Sequence, residues 1–105
     1  MHDFDNYKKI KVPINGEEHT LYVADSPEKR TKGLSNLNHI PFKEGMIFVY
    51  SSPVQYSYTM ENTHVPLEMI FISEDFEIIQ QVSCKPKEDI EICPWRPYKY
   101  VIEVS

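Results

Sequence analysis

The sequence predicts an all-β fold, a compact β-sandwich or barrel-like domain of about seven short strands and one short helix. Three observations carry this. Apolar and polar residues alternate at period two along much of the chain, and no long segment shows the 3.6-residue period of a helix. Turn signals such as Asn15-Gly16, Ser51-Ser52-Pro53 and Glu74-Asp75 separate the alternating segments. Eight prolines against three glycines, with 12% aromatic residues, suit short strands and stiff loops. The 105 residues are read as one domain over 1–105, large enough to bury roughly two-thirds of the unfolded surface.

Each element follows from local chemistry. Ile10, Val12 and Ile14 alternate with polar residues, and Asn15-Gly16 supplies the positive-φ pair of a tight hairpin. Residues 20–24 form the return strand. Pro13 has no N–H for a ladder, so the first strand is expected at a sheet edge. Ser26 is read as a helix cap with Pro27 at the first helical position, against a competing capping box from Asp25 to Glu28. Gly33 ends this helix within two turns.

Residues 46–50 form a buried-type run, and Ser51-Ser52-Pro53 is expected to turn the chain. Val54, Tyr56, Tyr58 and Met60 then alternate with polar residues as a further strand. Strands over 66–72 and 76–82 flank the Glu74-Asp75 turn. Residues 83–97 read as a proline-bearing loop, and 98–104 as the last strand.

Net charge is −5, and its distribution is uneven. Residues 1–50 hold seven basic and seven acidic side chains, whereas 51–105 hold four and nine. No basic stripe is visible for nucleic acid or an anionic membrane, so the expected partner is a small polar molecule or a protein. Asp3, Asp5, Lys8, Lys9 and Lys11 interrupt the first fifteen residues, which contain no apolar stretch of signal-peptide length. The expectation is a cytoplasmic protein in which Cys84 and Cys93 are free thiols; export would favour a bridge between them.

Gly45-Met46-Ile47-Phe48-Val49-Tyr50, and the run from Tyr58 through Met60-Glu61-Asn62-Thr63 to Pro66-Leu67 and Ile72, resemble the domain-of-unknown-function 192 family. Arg30, Gly33, Leu34, Cys93-Pro94 and Tyr100-Val101-Ile102-Glu103 match further elements of its pattern in the same order. The resemblance covers roughly residues 20–105 and implies a compact β-sandwich-like domain of bacteria, archaea and some phages, with no assigned activity. Thr59 stands where the family pattern has Trp, and Glu61 where it has Lys. Those departures imply a different ligand if the two positions line a site.

The candidate ligand-binding residues are Arg30, Tyr58, Met60, Asn62, Thr63 and Glu68. Asn62 and Thr63 lie at a corner between strands, where such side chains either bond local backbone or form a polar rim around a ligand. Glu68 falls within the apolar run Leu67 to Ile72 and is expected to be buried. It then needs a partner, Arg30 or Arg96, or serves as a pocket carboxylate. Tyr56, Tyr58, Tyr98 and Tyr100 read as core and cross-strand pairs, or as a stacking platform.

No catalytic constellation, metal site or cofactor motif is expected. His64 and Glu68 would share a metal on a helix, but four residues along a strand span about 13 Å. Three functions stay open: a non-enzymatic binding domain, such as a phage-type sequestering protein; a hydrolase or transferase with Glu68 as general base; and an accessory subunit that pairs through a strand edge.

Overall fold

Asn15 and Gly16 both adopt left-handed backbone, φ +52° and +81°, and close the hairpin between β1 (Lys9–Ile14) and β2 (Glu17–Ala24). The computed structural model describes residues 4–88 and 90–105. Asp3, which counted against a leader, and Asp89 of the expected 83–97 loop lie outside the described residues. Pro13 pairs with Glu18 in β1, an outermost strand of its sheet, as its missing N–H requires.

Helix α1 (Pro27–Lys32) is capped by Ser26, whose hydroxyl accepts the Lys29 N–H at 3.3 Å. Asp25 makes no cap; its carboxylate lies 3.9 Å from the Lys29 ammonium. The helix carries the chain from β2 to β3 (Glu44–Val54), and those two strands pair in parallel. Parallel neighbours need such a crossover, and here it lays α1 and the loop after it against one face of the sheet.

Five more strands follow: β4 (Tyr58–Thr59), β5 (Leu67–Ile72), β6 (Ile78–Cys84), β7 (Glu91–Ile92) and β8 (Tyr98–Val104). Six of the eight form one sheet in the order β1-β2-β3-β8-β5-β6, antiparallel except between β2 and β3. β4 and β7 make a separate two-stranded ladder. Neither sheet closes into a barrel, and the architecture is all-β and sandwich-like.

The structure corrects four expected boundaries, one of them by placing the end of β6 and all of β7 within the expected 83–97 loop. Ser51-Ser52-Pro53 does not turn the chain: β3 runs through it with a register shift, Val49 opposite Tyr100 but Val54 opposite Tyr98. That irregularity accommodates Pro53 without a ladder bond. The alternating stretch after it is not a long strand. Gln55 donates to the Pro94 carbonyl at 3.0 Å and Tyr98 to the Tyr56 carbonyl at 2.8 Å, so side chains take the place of a ladder. Phe76 is also displaced from its expected strand; it sits exposed in the turn at φ +65° and stacks on Tyr100 at 5.5 Å.

The sheet buries apolar side chains on both faces. One face carries Tyr22, Met46, Phe48, Met69, Phe71 and Val101, covered by Phe4, Leu34, Met60 and Ile92 from outside the sheet or from the small ladder. The other carries Leu21, Ile47, Ile70, Ile102 and Val104. Ile14 and His19 from the first hairpin share a cavity of about 200 Å³ on that second face with Glu68 and Gln81, so the sheet curls around it. Among the described residues, no helix is long and apolar enough to cross a membrane.

Candidate functional site

A cavity of about 600 Å³ opens on the first face, between α1, the end of β3, the β4 ladder and the 62–63 corner. Its volume lies within the roughly 300–1,000 Å³ range of small-molecule sites. Of the residues expected from the sequence, Arg30, Tyr58, Asn62 and Thr63 line it together. Met60 does not; it is fully buried in the core beneath the corner.

Arg30 projects from the last turn of α1. It donates from Nη1 to the Val49 carbonyl at 2.9 Å, and its guanidinium lies over the Tyr50 ring at 4.7 Å. A guanidinium has five N–H donors in a fixed fork, so this anchoring leaves donors available to the cavity. The Tyr50 and Tyr58 hydroxyls are 2.8 Å apart, and Tyr58 meets the rings of Phe48, Phe71 and Tyr98 edge-on. Burial, then the bond to Tyr50, pushes the Tyr58 phenol well above its ordinary value and keeps it protonated.

At the corner, the turn is made by backbone alone. The Thr63 N–H donates to the Met60 carbonyl at 3.0 Å, the Asn62 carbonyl accepts from Asn36, and the Thr63 carbonyl accepts from Lys87. Neither the Asn62 nor the Thr63 side chain bonds a described residue. The geometry therefore leaves both side chains to the cavity rather than spending them on a side-chain turn. Thr59 also lines it, while its hydroxyl accepts the Glu61 N–H at 3.1 Å; Glu61 itself is exposed.

Glu68 departs from its expected environment. It is half-buried, lines the smaller cavity on the second face, and accepts from Gln81 Nε2 at 3.1 Å and from the Ser83 hydroxyl. Neither arginine reaches it: Arg30 is held by Val49 and Tyr50, and Arg96 packs over Trp95 at 5.5 Å. The reason is strand parity. Leu67, Met69 and Phe71 face the main core, which turns Glu68 with Ile70 to the other side, beside the polar residues of the outermost strand β6.

The buried carboxyl is instead Glu103. It lies in the central strand β8, directly opposite Met46 on one side and Met69 on the other, both apolar and fully buried. Glu103 is 5% exposed, has no hydrogen bond or ion pair among the described residues, and borders the 600 Å³ cavity. Burial alone pushes its carboxyl up to about 8, so it is mostly protonated at neutral pH. The signal was present in Val101-Ile102-Glu103-Val104, a lone acid in an apolar strand, which is the same pattern that singled out Glu68.

Cys84 is buried and Cys93 exposed, and both are free thiols. Burial pushes the Cys84 thiol up to about 11, far from a reactive thiolate. Among the described residues, no three metal-ligating side chains gather at one point.

None of the curated proteins compared with the chain matches it. Two crystal structures share its fold. One, a protein of unknown function from Novosphingobium aromaticivorans, has TM-score 0.80 and 24% identity over 94% of this chain and 73% of its own. The other, a proposed transcription regulator from Sinorhizobium meliloti, has TM-score 0.78 and 28% identity over 94% of this chain and 81% of its own. The family model for DUF192, described as uncharacterised ACR, matches residues 10–105, and the chain belongs to that family.

Proposed function

We propose that the protein is a non-enzymatic binding domain that holds a small polar molecule in the 600 Å³ cavity, with Arg30, Tyr58, Asn62, Thr63 and Glu103 as its contacts. The observation that carries this is the Glu103 carboxyl. A buried polar group without a partner costs about 1–3 kcal/mol, and a charged one more. No buried side-chain oxygen among the described residues lacks a partner, so the Glu103 carboxyl escapes that cost by opening onto the cavity, where a ligand can bond it.

Charge supports a small molecule over nucleic acid or an anionic membrane, since the cavity presents one guanidinium and the chain carries −5 overall. The hydrolase or transferase reading pairs Glu68 with His64 or Thr63, and binding is favoured over it because Glu68 and Thr63 line different cavities. A thermal-shift screen over sugars, nucleotides, amino acids and peptides tests the proposal, with Thr59→Trp as control. At a hundredfold excess over Kd, a ligand adds about 2.7 kcal/mol, or about 10 °C or more in melting temperature for a domain of this size. The wild type should show such a shift with at least one class, and Thr59→Trp, which puts an indole on the cavity lining, should show a smaller one. No shift with any class, together with no partner in pull-downs, refutes the proposal.

A further inference from the structure

A guanidinium and a carboxylic acid line the same cavity without meeting. Arg30 is its one basic residue and Glu103 its one acidic residue among those described. They form no ion pair, and each is fixed where it stands. Arg30 is tied to the Val49 carbonyl and stacked on Tyr50, while Glu103 projects from the middle of a strand paired on both sides. Bringing them together would break those contacts or the sheet.

We infer that the ligand is a small zwitterion of the amino-acid type, its ammonium against Glu103 and its anionic end on the free donors of Arg30. This rests on the binding role proposed above and names the class of molecule that fills it. An ammonium beside Glu103 favours its ionised form, so the carboxyl releases its proton to solvent as the cation binds, and an Arg fork suits a carboxylate in two parallel hydrogen bonds. The tyrosine rings at Tyr50 and Tyr58 bound the space between, and cations are attracted to such rings. A ligand with one charge leaves one end of the cavity unmet. A neutral sugar brings no charge to Arg30 or Glu103, although the hydroxyl-bearing lining from Ser51, Ser52, Ser57 and Thr59 would tolerate it.

Calorimetric titration separates these cases. The probes are the free amino acids and the series glycine, β-alanine and γ-aminobutyrate, which spaces the two charges progressively, against butylamine, butyrate and glucose. At least one zwitterion should bind about 10- to 100-fold tighter than both butylamine and butyrate, the ratio expected for one additional charge-assisted hydrogen bond. Glu103→Gln should bring its affinity toward that of butyrate, and Arg30→Lys should recover part of what Arg30→Ala loses. Circular dichroism of each variant confirms that it is folded, and Glu103→Gln alone decides if the Arg30 variants are not. Glucose or a singly charged probe binding as tightly as every zwitterion overturns the inference and leaves the binding role standing. Zwitterions that do not bind, while a nucleotide or sugar from the broader screen does, have the same effect; absence of binding by every class removes both.

Discussion

Replacing Glu103 by Gln should change how stability responds to pH. Gln matches the shape of a protonated Glu and cannot ionise. In the folded protein the Glu103 carboxyl titrates at about 8, against an ordinary value of 4.5. Because the folded-state value is raised, the native protein holds a proton between those values that the unfolded chain has released. Stability from this group is therefore full below about pH 4.5 and is lost at about 1.4 kcal/mol per pH unit as pH rises toward 8. Over the window from pH 5 to pH 8, the wild type should lose about 3–4 kcal/mol that Glu103→Gln keeps. Urea denaturation midpoints for both proteins across that window give the comparison, and other titrating groups cancel in the difference. Two parallel profiles would refute the reasoning, since they would mean that the carboxyl is solvated well enough to ionise at its ordinary value.

Three other outcomes follow from the packing. Gly45→Ala should destabilise by about 1–3 kcal/mol in a denaturant titration, because a Cβ there would stand 2.2 Å from the Glu103 carbonyl oxygen and 2.7 Å from Val104. Glu68→Ala should cost only about 1 kcal/mol by the same measurement, since it removes two hydrogen bonds at a half-buried position and strands no cation; a loss of about 3–5 kcal/mol would restore the buried ion pair. A thiol-reactive dye at neutral pH should label Cys93 in the native protein and reach Cys84 only after unfolding.

Much of the fold was legible because it is written in local chemistry. Asn15-Gly16 can hardly do anything but close a hairpin, and Ser26-Pro27 with Gly33 brackets a short helix. What failed to read through was decided at long range. The alternation over 54–60 is genuine, but at 55–57 bonds from Gln55 and Tyr98 across some forty residues replace a ladder, and only Tyr58–Thr59 pairs again, with β7. The site divides the same way. Arg30, Tyr58, Asn62 and Thr63 line one cavity, although Arg30 was expected as a partner of Glu68 and Tyr58 in a core or stacking role, whereas Glu68 and Glu103 could not be told apart by pattern. Each is an acid in an apolar strand. Strand parity and strand order together, with β8 central and β5 beside the outermost β6, decide which carboxyl lies among apolar neighbours and which meets polar ones.

That strand order also bears on how the protein is made. β8 is the last of the eight strands in chain order, yet it pairs with both β3 and β5. Until residues 98–104 have been made, β1-β2-β3 and the β5-β6 hairpin are two fragments, each with an open edge lined by apolar side chains. Unpaired edges of this kind are templates for association between chains. The nascent protein thus passes through its most aggregation-prone state just before synthesis reaches the strand that joins the two halves. Loss of that one strand would release two sticky edges as well as the Glu103 carboxyl.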